Sequence, residues 1–135
     1  MAVKLTKQSI DLGIVTTNGP AMLAFYRDVL GFKYVREMPM PGAKGALMHQ
    51  LMCGESMIKL VVAKSLPANA APGGALGGSG YRYWTISVSN IPELLEACSA
   101  GGHKVVVPER SLRPGIKIAV VQDPDGNWVE FLTVG

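Results

Sequence analysis

Asp11-Leu12-Gly13-Ile14-Val15 and Tyr83-Trp84-Thr85-Ile86-Ser87 stand 72 residues apart (83 − 11), and the chain around each continues in the same order. Asn18-Gly19-Pro20 matches Asn90-Ile91-Pro92, each opening a helical stretch. Leu30-Gly31-Phe32-Lys33-Tyr34-Val35 matches the Gly102-His103-Lys104-Val105-Val106 region after a one-residue slip. Pro41-Gly42-Ala43-Lys44 then matches Pro114-Gly115-Ile116-Lys117, and Ser56-Met57-Ile58-Lys59-Leu60 matches Asn127-Trp128-Val129-Glu130-Phe131. A period this long, met only twice, is not a solenoid, which needs at least three stacked units. It predicts a duplicated βαβββ module whose halves are related by a pseudo-twofold axis, with a cleft lined by equivalent positions of both. The expected fold class is α+β, a single domain over 1–135. Two tandem βαβββ modules form a cupped mixed β-sheet with helices packed outside. The first module runs over 7–63, a linker over 64–81 and the second module over 82–135.

Bulk composition narrows the function. A chain of 135 residues with 48% hydrophobic and 17% charged residues has the makings of one ordinary globular core. The net charge of +3 comes from scattered lysines and arginines. A nucleic-acid binder concentrates such charge in a stripe with aromatics between, so no nucleic-acid partner is expected. Met1 to Gln8 has no apolar centre and does not read as a secretory signal. No run approaches the roughly 18 apolar residues that cross a bilayer, so no membrane partner is expected. Cys53 and Cys98 sit in apolar contexts without metal-ligand spacing, as reduced thiols of a cytoplasmic protein do.

Along the chain, Ser9–Thr16 reads as a buried strand. Asn18 is the expected N-cap of a helix that carries Leu23, Tyr26 and Leu30 on one face and stops at Gly31. Phe32–Glu37 reads as a strand, 38–42 as a loop, and Gly45–Cys53 with Ser56–Ala63 as a hairpin about Gly54. The segment 64–81, rich in Pro, Gly and Ala, reads as a mobile linker without structure of its own. Tyr83–Ser89 is a strand, Asn90 with Glu93 a capping-box-like start, and Gly101-Gly102 the stop. Lys104–Pro108, Lys117–Gln122 and Trp128–Val134 complete the second module. Asp123-Pro124-Asp125-Gly126 reads as a turn.

Two stretches, Ala24-Phe25-Tyr26-Arg27-Asp28-Val29-Leu30-Gly31-Phe32 and Asp123-Pro124-Asp125-Gly126-Asn127-Trp128-Val129-Glu130-Phe131, in that order and within a duplication, resemble the vicinal oxygen chelate superfamily. This group holds glyoxalases, bleomycin-resistance proteins, extradiol dioxygenases and thiol transferases acting on antibiotics. The resemblance covers nearly the whole chain and implies paired βαβββ units, often in a homodimer. In metal-dependent members, ligands come from the first and last strand of each module, commonly His and Glu. Position by position, those places are here Asp11, Lys59, Tyr83 and Glu130. Only Glu130 keeps a usual ligand. Asp11 has the oxygen to serve, whereas a protonated Lys59 cannot and Tyr83 rarely does. A catalytic divalent ion wants three good ligands and an open position.

No cofactor is therefore expected; if a metal is present, Asp11 and Glu130 hold it. Without a metal, the same four residues form a charge-compensated polar site. Asp11 or Glu130 serves as base, while Lys59 and Tyr83 stabilise developing negative charge. Met48, Met52, Met57 and Trp128, with Met38, Met40 and Tyr34, outnumber what a small core needs and suggest an adaptable apolar cavity. His49, beside Met48, reads either as a satisfied strand histidine or as a residue reaching into the cup. His103 reads as a surface residue, and Trp84, neighbour of Tyr83, as core. Arg36, Arg110 and Arg113 lie in stretches expected to flank the cleft mouth. There all three, Arg113 foremost, are candidates for a ligand's carboxylate or phosphate, the plainer reading being solvated loop arginines. Gly73-Gly74-Ala75-Leu76-Gly77-Gly78 lacks the Lys-Ser/Thr and strand-to-helix setting of a phosphate loop.

The expected function is metal-independent proton transfer, such as isomerisation, epimerisation, cyclisation or elimination, on a small apolar carbonyl or aromatic compound. Two alternatives stay open. One is a protein that binds a drug or metabolite without turnover; the other is a metal enzyme of glyoxalase or dioxygenase type.

Overall fold

Each copy of the repeat folds into a four-stranded sheet in which the first strand runs parallel to the last. The computed structural model describes residues 2–135. The first module comprises β1 (Leu12–Thr16), α1 (Gly19–Leu23), β2 (Lys33–Pro39), β3 (Leu47–Cys53) and β4 (Ser56–Val62). The second comprises β5 (Tyr83–Ser87), α2 (Ile91–Ala100), β6 (Val105–Arg113), β7 (Ile116–Gln122) and β8 (Trp128–Val134). The strand orders are β1-β4-β3-β2 and β5-β8-β7-β6. The helix carries the chain from the first strand of each module to the far edge of its sheet, and antiparallel hairpins bring it back so that the last strand pairs parallel with the first.

Several boundaries differ from expectation for physical reasons. After Leu23 the first helix widens into a π-helical stretch over Ala24–Val29, closed by the Leu30 amide on the Phe25 carbonyl at 2.9 Å. The wider turn shifts the buried face, so Met22, Phe25 and Tyr26 are fully buried while Leu23 and Leu30 are only partly so. Asn18 makes no side-chain cap. Its own amide instead donates to Thr16 Oγ1 at 2.8 Å. Strand β2 runs on through Pro39 and β6 through Arg113, longer than the apolar runs that announced them. Register shifts along both strands accommodate the polar residues.

One core serves both modules. It takes the helix-facing sides of the two sheets, for example Leu51, Ile58 and Leu60 from one and Val121, Val129 and Phe131 from the other, around both helices. Aromatic contacts stitch the modules together: Phe25 meets His103 edge-on at 4.8 Å, and Trp84 lies 6.2 Å from Tyr26 and 6.1 Å from Phe32. Trp84 therefore packs on the core, whereas His103, expected at the surface, is half-buried against the other module.

A polar joint accompanies these contacts. Tyr26 Oη donates to Asp123 Oδ2 at 2.6 Å. Asp123 Oδ1 accepts the amides of Asp125 and Asn127, both at 2.9 Å, and Oδ2 accepts Asn127 Nδ2 at 2.8 Å. Asp123 is 2% exposed. The turn that composition announced is thus also the anchor of the second module on the helix of the first.

Gly19 marks a close approach of α1 to β4. A Cβ there would meet the two Val62 methyls at 2.9 and 3.0 Å. Gly19→Ala normally gains helix propensity, but Val62 is β-branched and has little freedom to move. We expect a net loss of about 1 kcal/mol from overpacking, measured by chemical denaturation; a stabilised variant would contradict it.

Candidate functional site

Because the helix-facing sides are consumed by the shared core, the opposite sides of the two sheets are left open, and they carry the candidate residues. Cross-strand pairing arranges them in transverse rows. On the first sheet Gly13 pairs with Lys59, Lys59 with Gln50, and Gln50 with Arg36, one polar row across all four strands. Beside it lies the row Val15, Val61, Met48 and Met38; on the other side lie Met57, Met52 and Lys33. Pleat alternation puts all of these on one face. On the second sheet the equivalent row is Thr85, Glu130, Val120 and Val107, flanked by Tyr83, Trp128 and Gln122.

The row residues are held by specific contacts. Gln50 is 8% exposed; its Oε1 accepts Arg36 Nε at 3.0 Å, and its Nε2 reaches the sulfurs of Met38 and Met48 at 3.4 and 3.7 Å. Glu130 accepts Thr85 Oγ1 at 2.7 Å across the parallel pair. Asp11 precedes β1, is exposed, and pairs with Lys7 Nζ at 2.7 Å while accepting the Met57 amide at 2.8 Å. The Lys7 and Met57 bonds, with a smaller pull from Lys59, hold the Asp11 carboxyl below the usual range. That makes Asp11 a poor base.

The four expected positions therefore fall into two pairs. Lys59, with Asp11 just ahead of β1, belongs to the first sheet; Tyr83 and Glu130 lie on the second. Among the described residues no hydrogen bond or ion pair links one pair to the other, and Tyr83 is 56% exposed.

Met48, Met52 and Met57 share the face of Lys59, and Trp128 shares that of Glu130. His49 does not join them. Its neighbours Met48 and Gln50 face the site, so the pleat turns its imidazole to the other side, where Nδ1 lies 2.9 Å from Tyr34 Oη. Arg110 and Arg113 sit on β6 opposite Ile118 and Ile116, on a strand and not in a loop. Arg36, expected in a loop at the cleft mouth, stands on β2 opposite Gln50; sequence reasoning missed Gln50 and Thr85 as parts of the rows. Thr85 was legible in the repeat, since it answers Gly13 as Glu130 answers Lys59.

The donor chemistry does not suit a divalent metal at the family's ligand positions. The Lys59 ammonium has no lone pair to offer, and Asp11 is engaged by Lys7. Among the described residues no three His, Cys, Asp or Glu side chains converge as a metal site requires.

The linker also has a definite course. It forms a short turn over Gly74–Leu76, clamped where Arg82 Nε and Nη2 donate to the Gly74 carbonyl at 2.9 and 2.6 Å. Gly74 has φ +67° and lies so close to the Trp128 ring that a Cβ would collide with it. The segment expected to be structureless thus forms a strap over one end of the second face. Gly74→Ala is expected to lift the strap at a cost of about 1–3 kcal/mol. Acrylamide quenching of Trp128 should rise while that of Trp84 stays low; unchanged quenching would show that the strap tolerates a side chain.

A model of the Glyoxalase/Bleomycin resistance protein/Dioxygenase superfamily matches residues 10–131, and the chain belongs to that family. Among solved structures it is similar to SMU.1112c, with TM-score 0.74 and 23% identity over 95% of this chain and 99% of that one. The glyoxalase family protein from Enterococcus faecalis gives 0.68 and 24% over 96% of each chain. The trypanothione-dependent glyoxalase I of Leishmania major gives 0.72 and 19% over 96% of this chain and 87% of that one. These identities speak for the fold alone. No curated protein sequence matches the chain.

Proposed function

We propose that this protein is a metal-independent acid–base enzyme acting on a small carbonyl or aromatic compound, with Glu130 as the base. The observation that carries this reading is the half-buried Glu130 carboxylate, oriented by Thr85 at 2.7 Å on an otherwise apolar strand face. Glu130 takes a proton from a carbon next to the carbonyl. The C–H electron pair moves toward the carbonyl oxygen, whose charge Lys59 and Tyr83 stabilise, and the proton is returned at the same or a neighbouring carbon.

Completing this site takes a second copy of the chain, whose second sheet lies over the first sheet of its partner. Two features support that assembly. The open faces expose Val15, Tyr83 and Val134 at 54, 56 and 71%, and Lys59 on one face complements Glu130 on the other. The test is deuterium incorporation, by NMR, into a panel of ketones and oxo acids, with wild-type protein and Glu130→Gln. The site reading stands if exchange depends on Glu130, and falls if the variant matches wild type. The thioether-lined first face favours a second reading, retention of a ligand without turnover. Its mark is a bound compound recovered unchanged.

A further inference from the structure

We propose that the ligand is an anion, its carboxylate, sulfonate or phosphate group seated on the Arg36–Gln50–Lys59 row and its apolar body on the flanking methionines. The proposal deepens the function above and rests on the same assignment of the site face.

The charge balance of the face is the starting point. Arg36 and Lys59 form no ion pair among the described residues, and Asp11, the acid that feels Lys59, is already bound by Lys7. Were Glu130 of a second copy to lie opposite, one carboxylate would still face two cations. The arrangement is also pre-set. Gln50 is nine-tenths buried, and its Oε1 takes up Arg36 Nε, which fixes the guanidinium and leaves its terminal N–H groups without partners among the described residues. A planar fork held in advance loses little freedom on meeting an oxyanion. The Gln50 amide nitrogen is served only by two thioether sulfurs, weak acceptors, and so has donor capacity to spare. Beside Lys59 the row ends at Gly13, where an added Cβ would touch nothing within 4 Å. That leaves room for the ligand's charged end. Met38, Met48, Met52 and Met57 border the row on both sides and suit a flat, greasy body.

The test compares two fluorescent probes of nearly the same shape, anionic anilinonaphthalene sulfonate and uncharged phenylnaphthylamine, on the intact protein at low and high salt. Wild type is expected to bind the sulfonate about tenfold more tightly at low salt, the preference shrinking as salt screens it. Arg36→Met and Lys59→Met should each remove most of that preference while leaving the neutral probe's affinity in place. Arg36 is exposed, so its variant carries little folding risk. Equal affinity of the two probes for wild type would overturn the proposal. So would loss of both probes in parallel, or dissociation of an oligomer by Lys59→Met with the probe preference intact, which would assign the cations to an interface. Binding is read without turnover. Glu130→Gln should keep the sulfonate preference, so failure of the base assignment and failure of the anion site give different results.

Discussion

Asp123→Ala is expected to lower the unfolding midpoint by about 10 °C, the equivalent of about 3 kcal/mol for a chain of this size. The carboxylate accepts four hydrogen bonds at 2.6–2.9 Å from a position 2% exposed. Removing it strands the Tyr26 hydroxyl, itself fully buried, without a partner. A stranded buried donor costs about 1–3 kcal/mol, and the turn amides of Asp125 and Asn127 lose their acceptor as well. Tyr26→Phe should cost less, about 1–2 kcal/mol, because Asp123 keeps its other three donors. Equal losses in the two variants would mean that the Tyr26 bond, the joint between modules, is the seat of the whole effect and that the bonds within the turn add nothing.

The same joint sets an alkaline limit. Burial, and then the neighbouring Asp123 carboxylate, push the Tyr26 phenol well above its ordinary value of 10.0. A group raised in the folded state contributes stability that is complete below its unfolded value and lost as pH climbs toward the folded one. Wild type should therefore lose stability above about pH 10, and Tyr26→Phe should lose less over that range. Asp123 is also raised, by burial, with its hydrogen bonds opposing. Its contribution is present below its ordinary 3.8 and lost as pH rises through the folded value. This carboxylate thus does not drive acid unfolding. Denaturation midpoints of both variants across pH would check the two signs.

Glu130→Gln should reduce exchange or turnover about a hundred- to ten-thousand-fold, the range usual for removing a general base. Glutamine keeps the size of the side chain and can still accept the Thr85 hydroxyl, so folding and probe binding should hold. Because the two candidate pairs lie on separate sheets, the effect has a second signature. Lys59→Met and Glu130→Gln proteins, each impaired alone, should recover activity when unfolded and refolded together. Mixed dimers then rebuild one intact site from Lys59 of one copy and Glu130 of the other. No recovery from a mixture that forms mixed dimers would mean that the site does not span two copies.

The duplication, the strand that ends each apolar run and the turns at Gly54 and Gly126 are written locally, in periodicity and in glycines that take positive φ. Lys59 and Glu130 could be matched by counting along the repeat, since equivalent positions in a duplicated module meet equivalent surroundings. The lengths of β2 and β6 could not, because polar residues there are carried by register shifts that depend on the partner strand. The π-helical turn escaped for a similar reason: its residues favour an ordinary helix, and packing of Phe25 and Tyr26 against the second module selects the wider one. Asp11 was read as a partner of Lys59, yet Lys7, four residues before it, takes the carboxylate.

The sequence by itself thus determined the duplication, the α+β succession of elements and the family resemblance, since each follows from local pattern and from repetition. Only the tertiary structure decided what the site residues touch. Which side chain takes Glu130, that Gln50 aligns Arg36, that His49 turns away, that Asp123 is bonded to Tyr26 and that the linker straps Trp128 all depend on cross-strand register and on packing between distant segments. Those choices rest on burial and hydrogen bonding across the whole fold, which no local pattern contains.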